Sequence, residues 1–396
     1  MSQKMREGVS RLGSLAATCA ALVSVLSTAC VAPPAEPADV VRTDSAGVRI
    51  VSSGAVDREL PWRFDSVDVL RDTLGVPWIF TGVSRGTVLI DRAGRTYVIT
   101  RDPSVVRFGL DGRFDRTIGR KGGGPGEFEF PISISAQGDT LVVRDIARGV
   151  LVRFSSSLDP VADRRLDGAF ASVGSIEFRS GGFWYSRQFN SDTLQGIELR
   201  ADTVGGPPLQ RLLATPGKPV RYSCVGLPFA TPIFEPTISW VASGPRILVN
   251  VQPSYDLWLY EGVRVVARIQ RPLRTRKPTL DDVRAQYPEG LIISFVGARP
   301  DCKVPAEEIA AKQGLAPHLP LVEDVRLFSD GTIWALRSLR SAETVVFDVF
   351  GSDGAYVGTS SGAEMPVGRY PNGDLLVPRD DAESGGVLLM RVKIRR

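Results

Sequence analysis

The chain of 396 residues has a single histidine, four cysteines and four methionines. One histidine, His318, excludes a zinc site built from two or three imidazoles and any histidine-rich lyase chemistry. No Cys-x-x-Cys pair occurs, which removes the usual cysteine zinc sites as well. Lysine and arginine number 48 against 44 aspartates and glutamates, and no basic run is present, so the charge pattern does not fit nucleic-acid binding. Beyond the N-terminus there is no apolar stretch of about 18 residues, the length a spanning helix needs. Long amphipathic helical runs are scarce, and spacing reveals no Ser/His/Asp set or Cys/His pair.

What the sequence does hold begins with an export segment. Lys4, Arg6 and Arg11 form a basic lead, and Leu12 to Ala29 is apolar and small-residue-rich up to Cys30. VLSTAC resembles a bacterial lipoprotein signal, which implies that Cys30 is lipidated and becomes the first mature residue. An ordinary cleaved secretory signal is the alternative. Residues 1–29 are thus expected to leave, and residues 30–46 read as a Pro/Ala-rich tether. Loss of Lys4, Arg6, Arg11 and Glu7 brings the formal charge from +4 to +2. With Cys19 removed and Cys30 assigned to the anchor, Cys224 and Cys302 remain. An oxidising compartment makes one disulfide between them the economical expectation, two unpaired buried thiols being the alternative.

Forty glycines and 28 prolines punctuate short Val/Ile/Leu/aromatic runs, the pattern of strands and turns. A glycine followed by a short apolar strand recurs six times, at Gly94, Gly138, Gly182, Gly244, Gly331 and Gly373. The steps are 44, 44, 62, 87 and 42 residues, so three match a four-stranded unit and two carry insertions. Four short strands repeated six times predict an all-β, six-bladed β-propeller over residues 47–396. The sixth unit runs out of chain after three strands. An N-terminal strand is therefore expected to close the last blade, and GVRIVSS at residues 47–53 is the candidate.

Residues 119–128 read GRKGGGPGEF, half of them glycine. No Gly-Lys-Ser/Thr follows, so this is not a Walker phosphate loop. With Pro131, the positions Gly119, Gly122, Gly124, Pro125, Gly126, Glu127 and Phe128 make the stretch similar to NHL-type repeats of six-bladed propellers. That resemblance implies a crossover from an outer strand to the next inner strand, with Phe128 packed between blades. It also implies that ligands meet the face shared by the loops after each second strand and by the crossovers.

At the ends of the second strands stand Arg101, Arg144, Arg187, Arg337 and Arg379, with Asn250 in the fourth blade. A ring of guanidinium groups would suit a carboxylate, sulfate or phosphate, unless neighbours such as Asp102, Asp145 and Asp380 engage them in ion pairs. Insertions at about 205–236 and 271–322 fall on the same face. The second carries two helical pieces, TLDDVRAQY and PAEEIAAKQG, the latter with Pro305 at its first position and Gly314 at its end. A Cys224–Cys302 bond would pin these insertions into a lid. His318 lies within the lid as a plain loop residue or a lone acid–base group. Trp184, Tyr185 and Trp334 could stack on sugars but are commoner as core residues.

The expected role is a binding or scaffold module, periplasmic or at the cell surface, lipid-anchored and monomeric. An anionic saccharide, peptide or protein is the expected ligand, with no cofactor. The alternative is a calcium-dependent, lactonase-like propeller hydrolase, with Asp102, Asp145, Asn250 and Asp380 as the conceivable calcium ligands.

Overall fold

The computed structural model describes residues 40–80, 82–166, 176–179, 182–190, 195–201, 207–293, 302–338, 345–361 and 364–395. The proposed signal, residues 1–29, and Cys30 lie outside them.

Six antiparallel sheets of four blade strands follow one another along the chain. In blades 1 to 5 the inner strand leads and the outer strand comes last. Blade 1 runs from Val88–Ile90 to Phe114–Ile118, and blade 2 from Pro131–Gln137 to Pro160–Arg165. Blade 3 runs from Ile176–Arg179 to Gln210–Leu213, and blade 4 from Ile238–Ser243 to Arg264–Gln270. Blade 5 extends from Val322–Leu327 to Tyr356–Ser361. Blade 6 contributes Gly368–Arg369, Leu375–Asp381 and Gly386–Arg395. The repeat glycines mark the turn between first and second strands: Gly94, Gly138, Gly244, Gly331 and Gly373 all have φ between +60° and +93°. Aspartate side chains brace two of these turns. Asp91 Oδ1 accepts the N–H groups of Ala93 and Arg95, and Asp330 Oδ1 accepts that of Thr332.

A four-stranded sheet has two faces to bury, and the blades bury them on each other. Tyr97, Val105 and Ile118 of blade 1 pack with Val143, Val152 and Phe154 of blade 2. Between blades 5 and 6, Phe64 of the blade 6 outer strand meets Phe347 of blade 5 edge to face, with ring centroids 6.2 Å apart. Phe128 has no exposed surface and lies in the blade 1–2 cluster, 5.9 Å from the Phe154 ring. The glycine-rich stretch is indeed the crossover between those blades. Gly119 has φ +69°, and a β-carbon there would overlap the Phe128 ring and lie 2.7 Å from the Gly126 carbonyl oxygen. Glu127 Oε2 accepts the Gly124 N–H at 2.9 Å, while its other oxygen accepts Arg120 Nε at 2.8 Å.

The N-terminal part of the chain closes the ring, but residues 47–53 are not the closing strand. Arg63–Val69 is the fourth strand of blade 6, antiparallel to Gly386–Arg395 from Arg63↔Arg395 to Val69↔Met390. Val48–Ser52 instead lies parallel to the outer strand of blade 4, with Arg49 opposite Ala267. Reach explains why the later strand closes the ring. The chain passes from blade 1 to blade 2 through residues 119–130, and residues 70–87 make a comparable passage from blade 6 to blade 1. A closing strand ending at residue 53 would be far from the next inner strand. Val48–Ser52 buries one side chain, Val51, against Ile269 and Gly354, where blades 4 and 5 meet. A second strand, Val41–Ser45, folds back on it as a hairpin, within the segment expected as tether.

Residues 54–62 cross the outer edge of blade 5. Leu60 N–H donates to Thr359 O at 2.8 Å, and Thr359 N–H to Arg58 O at 2.7 Å. The chain from 41 to 80 is therefore a strap over blades 4, 5 and 6, reaching blade 1 through the Phe114 N–H to Arg71 O bond at 2.8 Å.

Phe128→Ala should lower unfolding free energy by about 3–5 kcal/mol in urea titrations, the cost of a large cavity between two blades. Exposed Phe130, two residues on, should tolerate the same change within about 0.5 kcal/mol.

Candidate ligand-binding face

Loops after the second strands and crossovers between blades open on one face, as expected. Most of the two insertions is described and forms a small appended unit there. Two short hairpins, Lys218–Arg221 with Gly226–Ala230 and Leu291–Ile292 with Lys303–Val304, pack with helices α1 (Leu280–Gln286) and α2 (Ala306–Gln313). Val220, Tyr222, Val283, Val304 and Ile309 make a core separate from the blades. The Cys224–Cys302 disulfide joins the two insertions across 78 residues of sequence, with Cα atoms 5.4 Å apart. Ser223 adds N–H and hydroxyl donations to Glu308, at 2.7 and 2.9 Å. Pro305 is the residue before α2 rather than its first residue, and Gly314 ends the helix with φ +82°.

At α1 the sequence TLDD makes a capping box. The Thr279 hydroxyl accepts the Asp282 N–H, and the Asp282 carboxylate accepts the Thr279 N–H. Arg276 donates to both Asp282 oxygens, at 2.7 and 2.5 Å. The Arg276 bonds lead, and those from Thr279 add to them, in holding the Asp282 carboxyl at about pKa 2 despite partial burial.

The arginines at the strand ends have different environments. Arg337 is part of a buried charge network centred on Asp348, which has no exposed surface. Asp348 Oδ1 accepts Arg337 Nη2 at 2.8 Å and the Thr359 hydroxyl at 2.6 Å. Its Oδ2 accepts the Tyr255 hydroxyl at 2.6 Å, and Arg271 Nη1 and Arg337 Nε at 3.0 Å each. The strap joins in: Asp57 accepts both guanidinium groups, and Arg271 also donates to the carbonyls of Gly54 and Val56. Burial works against the Asp57 charge, yet the bonds from Arg337 and Arg271 hold its pKa below the usual carboxylate value. Burial and the adjacent Asp348 push the Tyr255 hydroxyl well above the ordinary tyrosine value.

Arg187 is half-buried and donates to Glu198 at 3.3 Å, a carboxylate that also receives Arg200 at 2.9 Å and Arg211. Arg144 is buried, and desolvation lowers its pKa. Asn250 is buried and closes its own loop by donating to the carbonyls of Ser254 and Asp256, at 2.9 and 3.3 Å. Arg101 and Arg379 are exposed, as are Asp102 and Asp380. The structure thus brings Arg337 and Arg187 onto internal acids and leaves Arg101 and Arg379 in solvent. A sequence signal separates the two kinds: the acids Asp348 and Glu198 each lie 11 residues after their arginine, on the next strand. Arg101 and Arg379 have Gly112 and Met390 at that offset.

Asp145 has no exposed surface and accepts the backbone N–H groups of Glu129, Phe130 and Arg148, at 2.6, 3.2 and 3.2 Å, so it fixes the crossover into blade 2. Among the described residues no three His, Cys, Asp or Glu side chains converge as a metal site. Trp184, Tyr185 and Trp334 are all buried, so none offers a ring to a sugar.

Besides a smaller one of about 310 Å³ between the outer strands of blades 1 and 2, two cavities among the described residues adjoin the blades. One of about 690 Å³ lies where the insertion meets blade 4, between Pro253, Tyr255, Leu273, Thr275, His318 and the strap at Ser53. His318 is exposed at its margin. The other, about 1110 Å³, opens on the opposite face among the first-to-second-strand turns, lined in part by Asp91, Arg95, Gln137, Arg246 and Ser329.

These features define a class: a six-bladed β-propeller with an N-terminal strap and a disulfide-stapled cap on one face. No family model matches the chain, and no curated protein does. Among solved structures it is similar to a Bacteroides fragilis protein inferred to be exported, at 11% identity over 88% of this chain and 100% of that one, TM-score 0.49. A member of the DUF4221 family from Bacteroides vulgatus shares 9% identity over 85% and 99%, TM-score 0.47. A calcium-binding regucalcin from Agrobacterium tumefaciens shares 12% over 86% and 96%, TM-score 0.37. The blade count rests on this chain's own strand pairing rather than on those likenesses.

Asp348→Ala should cost about 3–5 kcal/mol in chemical denaturation, because it leaves two buried guanidinium groups with only the half-exposed Asp57 carboxylate. Arg101→Ala and Arg379→Ala should each change stability by less than about 0.5 kcal/mol. The Asp282 contribution is fully present above the unfolded carboxylate pKa of about 3.9 and is lost as pH falls through about 2. Asp282→Asn should therefore lower Tm at pH 6, and the gap to the parent should close between pH 4 and about pH 2.

Proposed function

We propose that this chain is an extracytoplasmic propeller, held at a bacterial membrane by a lipid on Cys30, that acts as a binding or scaffold module for an anionic saccharide, peptide or protein. The observation that carries the reading is the stapled cap. A disulfide and a separate core tie the described parts of two long crossovers together beside a cleft of about 690 Å³. Loops of such length in a compact domain are commonly functional, and a pre-formed cleft lowers the cost of ordering on binding. The anionic preference rests on Arg101 and Arg379, whose guanidinium groups stay in solvent on the same face. The crossover at residues 119–128 supports a relation to NHL-type repeats, since its glycines and Phe128 do the inter-blade work that resemblance implies.

The test is binding of a sulfated glycan and of polyglutamate to the purified chain at low and moderate salt. The double variant Arg101→Ala, Arg379→Ala should weaken binding about fivefold or more and flatten its salt dependence, with Tm unchanged. Equal binding by parent and double variant would remove the anionic part of the reading. One tightly bound calcium ion per chain, together with lactone hydrolysis, would replace the whole reading with the hydrolase.

A further inference from the structure

The N-terminal hairpin gives blade 4 a sheet of six strands, with Val41–Ser45 as its outermost member. All five residues of that strand are exposed, and no described strand pairs with its outer side. An open edge of this kind accepts another strand unless something blunts it. Charged side chains commonly blunt such edges, but here their order selects a partner instead.

The hairpin loop is Ala46–Gly47, with φ +52° and +76°, and it joins the pair Ser45↔Val48. In a two-residue hairpin the pair flanking the loop is hydrogen-bonded, and bonded pairs alternate from there. The backbone groups of Ser45, Thr43 and Val41 therefore point to Val48–Ser52, and those of Arg42 and Asp44 point outward. A second copy of the strand, run antiparallel about Thr43, sets Arg42 against the partner's Asp44 and Asp44 against the partner's Arg42. Both are outward-facing residues, so each pair can exchange two backbone hydrogen bonds while opposite charges meet side by side. Thr43 meets its own copy in the closer, non-bonded position. Backbone parity and charge order thus select the same register. Arg42 already donates to Asp353 of blade 5 at 2.6 Å, which anchors the hairpin against that blade.

We propose that Val41–Ser45 is a self-association edge, through which two copies of this chain join blade 4 to blade 4 in a two-fold antiparallel pair centred on Thr43. This goes beyond ligand binding and departs from the monomer expected when residues 30–46 read as tether alone.

The test uses the full chain carrying Cys19→Ser and Cys30→Ser, with single cysteines added. In the proposed pair the Thr43 Cα atoms lie about 4.5 Å apart, within disulfide range. The two Ser45 Cα atoms are four residues out of step, about 13 Å apart. Thr43→Cys should give a covalent dimer on mild oxidation and Ser45→Cys should not; cross-linking of both, or of neither, overturns the proposal. Sedimentation of charge variants is the second arm. Arg42→Asp and Asp44→Arg should each weaken self-association about tenfold, since each sets like charges opposite one another. A mixture of the two variants should restore association as a heterodimer. A mixture no heavier than its components also overturns it.

Discussion

The Asp348 carboxylate, sealed from water and met by two guanidinium groups, is the constraint on which the asymmetric half of this propeller depends. It sits on the third strand of blade 5. Its partners come from the exit of blade 4 (Arg271), the loop of blade 4 (Tyr255) and the second strand of blade 5 (Arg337). Ion pairs this deep add little net stability over an apolar packing of the same shape, because desolvating the charges offsets most of their attraction. They differ from apolar packing in tolerance: an apolar face can slide by a fraction of a turn, and a carboxylate with five donors cannot. The same guanidinium groups hold the strap at Gly54, Val56 and Asp57, so the position of the N-terminal segment is fixed by that carboxylate too.

Placement of the strap matters because it finishes the ring. Blade 6 has three strands from the C-terminal end and receives its fourth from Arg63–Val69. Closure joins residues more than 300 positions apart, which costs chain entropy that local contacts do not. The strap distributes that closure over several anchors. It pairs with blade 4, crosses blade 5 through Arg58 and Leu60, fills blade 6 and bonds to blade 1. Trp62 and Phe64 bring apolar surface to the blade 5–6 cluster, so hydrophobic burial and backbone pairing act at the same joint.

The ring was legible in the sequence because its physics is local and repeated. Turn glycines need positive φ, and the strands between them must be short and apolar, so both recur at blade spacing. The stapled cap was legible through two leftover cysteines in two long insertions. The closing strand was not: RFDSVDV alternates charged with apolar residues at a sheet edge, whereas GVRIVSS is more apolar and looks the better strand. Both are strands, and their order along the chain decides which one reaches blade 6. The arginine positions were visible while their partners were not, since a register across strands is needed to see that Asp348 faces Arg337 and Glu198 faces Arg187. A charged residue inside VVFDVF was the sign of a buried acid awaiting a cation, and it marks the network that strand-end counting missed.

Departures from sixfold symmetry collect on one side. The cap arises between blades 3 and 5, the hairpin extends blade 4, the Asp348 network joins blades 4 and 5, and the cleft lined by Tyr255, Thr275 and His318 lies among them. Pseudo-symmetric blades alone would give six near-equivalent edges and loops, with no reason for one to differ. Each departure here leans on another. Arg271 holds the strap at Gly54 and Val56, and is itself held by Asp348 and lies 3.9 Å from the Tyr356 ring centroid of blade 5. Ser53 of the strap in turn walls the cleft that the cap encloses. Tyr255, Arg271 and Ser53 thus line one cleft, and the buried charges that place Tyr255 and Arg271 also hold the strap that carries Ser53.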